Sequence, residues 1–124
     1  MPCILLVDDE PDILDTLADL VAMRFPDAEV RKAPDGPSGL ELAEGVDLIV
    51  SDYRMPGMDG LTCLGHVQER HPGTPAILLT AYNERERAVQ AAQRGILRSF
   101  FLKPPDVDAL LAGMAELLDP DQLV

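Results

Sequence analysis

Cys3-Ile4-Leu5-Leu6-Val7 is an unbroken apolar run that gives way at once to Asp8-Asp9-Glu10-Pro11. Five apolar residues in succession are too short for a buried helix and suit a strand covered on both faces, as inside a parallel sheet. The pattern returns at Val46-Asp47-Leu48-Ile49-Val50-Ser51 before Asp52, at Ala76-Ile77-Leu78-Leu79-Thr80, and at Ser99-Phe100-Phe101-Leu102 before Lys103. Ala28-Glu29-Val30-Arg31-Lys32 makes a fifth strand, and its alternation of charged and apolar residues places it near an edge. Longer mixed segments separate all five. Strands that alternate with helical segments cross over into a parallel α/β sheet.

The helical segments differ in quality. From about Pro11 to Arg24, Ile13, Leu14, Leu17, Leu20 and Val21 share one face, with Pro11 suited to the first turn and Pro26 beyond the end. The last segment carries Val107, Leu110, Leu111, Met114, Leu117 and Leu118 at helical spacing, entered through Pro104-Pro105. Asn83–Arg94 offers only Val89 and small alanines, so it is expected to be the least firmly docked helix. No repeat or internal linker interrupts the chain. The reading is one domain over 1–124, with a core from about 3 to 118 and residues 119–124 as a tail or the start of a linker.

Composition narrows the function. At 124 residues and 47% hydrophobic, the chain can bury a core without a disulfide or structural metal. No apolar run approaches the ~18 residues of a membrane span, and Met1-Pro2-Cys3-Ile4 lacks a basic flank, so a cytoplasmic protein without membrane contact is expected. Cys3 and Cys63 have no companions at metal-ligand spacing and read as reduced core thiols; His66 and His71 read as surface or helix-end residues. A formal net charge of −12 argues against direct contact with nucleic acid, which Lys and Arg must mediate.

Sites in open parallel sheets form beyond the carboxyl ends of the strands. Asp8 and Asp9 follow the first strand, Asp52 the third and Lys103 the fifth, while Thr80 ends the fourth. Taken singly, each has a bland account: an Asp-Asp-Glu-Pro run caps helices, and a lone Asp, Thr or Lys at a strand end is commonplace. Together they converge on one rim, which neither packing nor solubility requires. Crowded carboxylates need a cation, and oxygen ligands select a hard ion, Mg²⁺ with Mn²⁺ as an alternative. Asp52 then has an oxygen free as a nucleophile, and Lys103 and Thr80 can hold the oxygens of an incoming phosphoryl group.

The motifs ILLVDDEPDI (4–13), LIVSDYRMPGMDGL (48–61), AILLTAY (76–82) and FFLKP (100–104) resemble those of the receiver domains of bacterial two-component response regulators, over essentially the whole chain. The resemblance implies a flavodoxin-like (βα)5 three-layer sandwich with sheet order 2-1-3-4-5. It implies that Asp52 is the phosphoacceptor, that Asp9 holds Mg²⁺ directly and Asp8 through water, and that the Arg54 backbone carbonyl completes the protein ligands. Thr80 becomes the switch hydroxyl and Lys103 the phosphoryl partner. Phe100 is either the aromatic switch residue or a buried strand aromatic. Arg54 and Tyr82 flank the phosphoryl group and tune its lifetime. The Lys103-Pro104 bond is expected to be cis.

Further implications concern partners. The phosphoryl donor is a sensor histidine kinase or phosphotransfer protein, and the chain is no enzyme beyond catalysing its own phosphorylation and dephosphorylation. The fourth helix, fifth strand and fifth helix form the output face, suited to a homodimer, a partner protein or an output domain whose identity stays open. Arg94-Gly95-Ile96-Leu97-Arg98 is bulkier than in many members and resembles receivers fused to signalling enzymes more than those fused to DNA-binding domains. Two other classes share parts of the chemistry. An aspartate-nucleophile phosphatase carries a second acid two residues after the nucleophile, where this chain has Arg54; a flavin-binding module wants a hydroxyl-rich phosphate loop where Asp8-Asp9-Glu10 stands.

Overall fold

Strand β1 (Cys3–Val7) is buried at all five positions. Successive side chains on a strand face opposite ways. Ile4 and Leu6 accordingly enter one core with Leu14, Ala18, Val21, Leu110 and Met114, while Cys3, Leu5 and Val7 enter another with Leu64, Val67, Ala88 and Ala91. That division creates three layers. Helices α1 (Pro11–Arg24) and α5 (Val107–Leu118) cover the first face, and α2 (Gly36–Glu41), α3 (Gly60–Arg70) and α4 (Arg85–Gln93) the second.

The computed structural model describes residues 1–118, so the expected tail at 119–124 lies outside the described residues. Strands β2 (Glu29–Ala33), β3 (Leu48–Asp52), β4 (Ala76–Thr80) and β5 (Ser99–Leu102) join β1 in one parallel sheet of order β2-β1-β3-β4-β5. This is the parallel α/β architecture expected from the alternation, in the flavodoxin-like strand order that the resemblance implies. The chain runs outward from β1 to β2, then reverses to β3, which opens a crevice at the carboxyl ends of β1 and β3.

Several local readings shift. The second strand begins one residue later than expected, because its register with β1 runs from Cys3↔Glu29 to Val7↔Ala33 and Ala33 is fully buried. The third runs from Leu48 rather than Val46 and includes Asp52, which pairs with Leu79. On α1 the buried stripe is Leu14, Ala18 and Val21, whereas Ile13 is 46% exposed. Beyond β4 the chain makes a single 3-10 turn, Tyr82–Glu84, before α4 begins.

Helix α4 buries only Ala88 and Ala91, and Val89 is half-buried rather than a core anchor. Methyl-sized groups contribute about 0.8 kcal/mol each on burial, against about 1.5–3 kcal/mol for a fully buried Leu or Val such as Val21 of α1. The expectation of a weakly docked fourth helix therefore has a packing cause. Cys3 and Cys63 are buried free thiols, as their lack of partners implied. Among the described residues, no helix is long and apolar enough to cross a membrane.

Candidate functional site

The carboxyl ends of β1 and β3 bring Asp8 and Asp52 together, each 3% exposed, with half-buried Asp9 beside them. One carboxylate oxygen from each of the three lies within 4.8 Å of the others. Local bonds hold them there. The Asp8 amide donates to the Ala33 carbonyl at 3.1 Å, the Asp8 Oδ1 accepts from the Glu10 amide at 2.9 Å, and the Tyr53 amide donates to the Leu79 carbonyl at 2.9 Å.

Lys103 leaves the end of β5 and sets its ammonium against Asp52 Oδ1. Its amide donates to the Thr80 carbonyl at 2.8 Å, so the lysine and threonine stand on neighbouring strand ends. Thr80 is 1% exposed, and its hydroxyl has only a 3.5 Å contact to the Ala81 carbonyl, too long to fix it. The Lys103-Pro104 bond is cis, as expected.

Burial pushes the Asp52 carboxyl above the ordinary carboxylate range, against the opposing pull of Lys103; the Asp8 carboxyl is raised by burial too, partly offset by the Glu10 amide and by Lys103. Three carboxylates against one ammonium leave a deficit of positive charge in a desolvated pocket. The donor set is all oxygen. A hard divalent cation fits these residues, and Asp8, Asp9 and Asp52 could hold it.

Glycine shapes the floor. The Gly60 amide donates to the Tyr53 carbonyl at 2.8 Å, and a Cβ at Gly60 would lie 2.1 Å from the Asp52 carbonyl oxygen. Only glycine lets α3 start this close to the end of β3. Asp59 caps α3 by accepting from the Thr62 amide at 2.8 Å, and Gly57, with φ of +79°, turns the preceding loop.

The remaining residues named from sequence lie around this rim. Phe100 is half-buried on β5 beside Leu78, packed against the core on the α4 side. Tyr82 stands 78% exposed on the 3-10 turn. The Arg54 side chain, 74% exposed, reaches Glu84, with Nε donating to Oε1 at 2.7 Å. Sequence reading gave no role to Glu84 or Tyr53, since a glutamate in a polar helix and a tyrosine after a strand carry no distinguishing pattern. On the other flank, Ile13, Leu17, Leu20, Pro105 and Val107 line an apolar groove of about 550 Å³ that reaches Asp8 and Lys103.

Comparison with known proteins agrees with this geometry. Residues 4–115 match the family model described as the response regulator receiver domain. The chain is 39% identical over 118 residues to the transcriptional regulatory protein GlrR of Escherichia coli, covering 94% of this chain and 26% of that protein. The chain thus spans about a quarter of the length of that relative. Among solved structures, the receiver domain of NtrX from Brucella abortus superposes with a TM-score of 0.83 at 32% identity, covering 94% of this chain and 98% of that one. A receiver domain protein from Clostridium thermocellum gives a TM-score of 0.88 at 24% identity, with coverage of 99% and 98%.

Proposed function

The chain belongs to the response regulator receiver domain family, and from that membership we propose that Asp52 accepts a phosphoryl group from a histidine kinase or phosphotransfer protein of a two-component system. The observation that carries the reading is the single rim on which the Asp8, Asp9 and Asp52 oxygens gather within 4.8 Å while Lys103 pairs with Asp52. An Asp52 carboxylate oxygen attacks phosphorus, the P–N bond of phosphohistidine breaks, and the imidazole keeps the electron pair and takes up a proton. Lys103 then binds a phosphoryl oxygen, and the Thr80 hydroxyl donates to another.

Asp8, Asp9, Asp52 and the Arg54 carbonyl would hold Mg²⁺, or Mn²⁺ in its place, and the ion when bound supplies positive charge against the phosphoryl oxygens. The chain turns over no separate substrate, and its only chemistry is gain and loss of its own phosphoryl group. Arg54 and Tyr82 stand where side-chain bulk governs access of water to that group. The apolar groove beside Asp8 and Lys103 supports docking of the donor's helical surface. Output runs through α4, β5 and α5, by way of Thr80 and Phe100, to a second copy, a partner or an attached domain. This reading assigns the chain to the cytoplasm and gives it no direct role in binding nucleic acid.

Incubation with acetyl phosphate, with and without Mg²⁺, tests the reading by intact mass. One phosphoryl adduct is expected, dependent on the divalent cation. A parent protein that takes no label under any divalent cation would refute it.

A further inference from the structure

Tyr53 and Arg54, the two residues after Asp52, each reach across to the segment that follows Thr80. Arg54 Nε donates to Glu84 Oε1 at 2.7 Å, and Arg87 Nη1 donates to the Tyr53 hydroxyl at 3.2 Å. Glu84 stands at the residue before α4, its side chain making no capping bond to the helix; it is only 6% exposed, and its Oε2 has no hydrogen-bond partner among the described residues. A buried carboxylate so poorly satisfied depends on Arg54, the cation that bonds it, with Arg87 acting on it through space alone. Helix α4 has little else to hold it, because its buried side chains are two alanines.

The placement links both arms of the rim. Glu84 lies four residues after Thr80, across one 3-10 turn closed by the bond from the Glu84 amide to the Ala81 carbonyl at 3.0 Å. Arg54 lies two residues after Asp52. A phosphoryl group on Asp52 carries roughly −1.5 to −2 charges in place of the carboxylate's single one, on strong acceptor oxygens that stand further out. The new anion competes with Glu84 for the same guanidinium.

We propose that Arg54, Glu84, Tyr53 and Arg87 form a clasp that holds the head of α4 in the unphosphorylated protein, and that phosphorylation opens it by drawing Arg54 from Glu84. Glu84, left buried without its hydrogen-bonded cation, then moves toward water and carries the first turn of α4 with it. This mechanism rests on the reading of Asp52 as acceptor, but it uses charge exchange at Arg54 and is separate from movement of the Thr80 hydroxyl. Glu84 is a positioning residue in it and touches no reacting atom.

Hydrogen exchange across Arg85–Gln93, measured on the full chain with Mg²⁺ and with or without beryllofluoride as phosphoryl mimic, tests the clasp. In the parent, the mimic is expected to raise exchange there severalfold. Glu84→Gln should show the raised rate without the mimic and lose most of the mimic-induced difference, while acetyl phosphate still labels it. In exchange, Arg54→Met should show the same raised rate and lost difference, and Arg54→Lys should keep the parent's difference. Tyr53→Phe, which removes one hydroxyl, should lose part of it. Were Glu84 merely structural, Glu84→Gln would exchange faster in both states and the difference would persist, which overturns the clasp. Loss of labelling in Glu84→Gln also overturns it. A parent that neither takes label nor responds to the mimic sinks the acceptor reading itself, whereas a labelled parent with an unchanged difference in Glu84→Gln sinks the clasp alone.

Discussion

Replacing Asp9 by asparagine should raise the stability of the metal-free protein and lower that of the Mg²⁺-loaded one. The three acidic oxygens lie within 4.8 Å of one another. At that separation two unit charges repel by about 0.9 kcal/mol in water and about 3.5 kcal/mol at an effective dielectric constant of 20. Lys103 offsets part of this through Asp52. A net relief of about 1–2 kcal/mol remains for Asp9→Asn at neutral pH, allowing for the partial exposure of Asp9. For a domain of this size that is a rise of roughly 4–8 °C in melting temperature. In Mg²⁺ the order should reverse. At a hundred times the Kd, the parent gains about 2.7 kcal/mol by mass action, and the variant, short of one carboxylate, gains less. Calorimetric scans with EDTA and across a Mg²⁺ series read both effects. A variant that melts below the parent in EDTA, or keeps the parent's full Mg²⁺ response, would contradict the charge argument.

Gly60→Ala should cost about 1–3 kcal/mol and slow phosphorylation of Asp52 by roughly a hundredfold, because the added Cβ would stand 2.1 Å from the acceptor's own carbonyl oxygen and must displace it. Gly65→Ala on the same helix meets nothing within 4 Å and should stabilise by about 0.5–1 kcal/mol; melting curves of the pair separate packing from helix propensity. Asp35 caps α2 by accepting from the Ser38 amide at 2.8 Å, and that bond holds its carboxyl below the usual range. The cap's contribution is present above the carboxyl's ordinary range and is lost as pH falls through the lowered value. Asp35→Ala should therefore melt below the parent at neutral pH and level with it in strong acid. Burial pushes the Cys63 thiol up to about 11, so Ellman's reagent near pH 8 should leave it unmodified until the protein unfolds. Rapid native modification would show that α3 opens.

The architecture was legible because the buried strands are unbroken apolar runs, and the rim because each run ends in a chemically distinct residue. Asp8, Asp52, Thr80 and Lys103 are named by their position after or at the end of a strand, and a parallel sheet delivers such positions to one edge. Boundaries were less legible. Nothing in Ala28–Ala33 marks the register with β1, which depends on pairing across the sheet. Ile13 satisfied the helical pattern yet faces an open groove, since periodicity reports an apolar face and not what covers it. The Arg54–Glu84 pair, thirty positions apart, was invisible for the same reason: a long-range ion pair between a loop and a polar helix leaves no periodic trace.

If Asp52 is the acceptor, its side chain alone carries the phosphoryl group. Borohydride reduces an aspartyl phosphate to homoserine, so reduction after treatment with acetyl phosphate and Mg²⁺, followed by peptide mapping, reads the modified position directly. Homoserine is expected at position 52 alone in the parent, and none in Asp52→Asn. Homoserine at position 8 or 9 in the parent, or an Asp52→Asn variant that labels as readily as the parent, would contradict it.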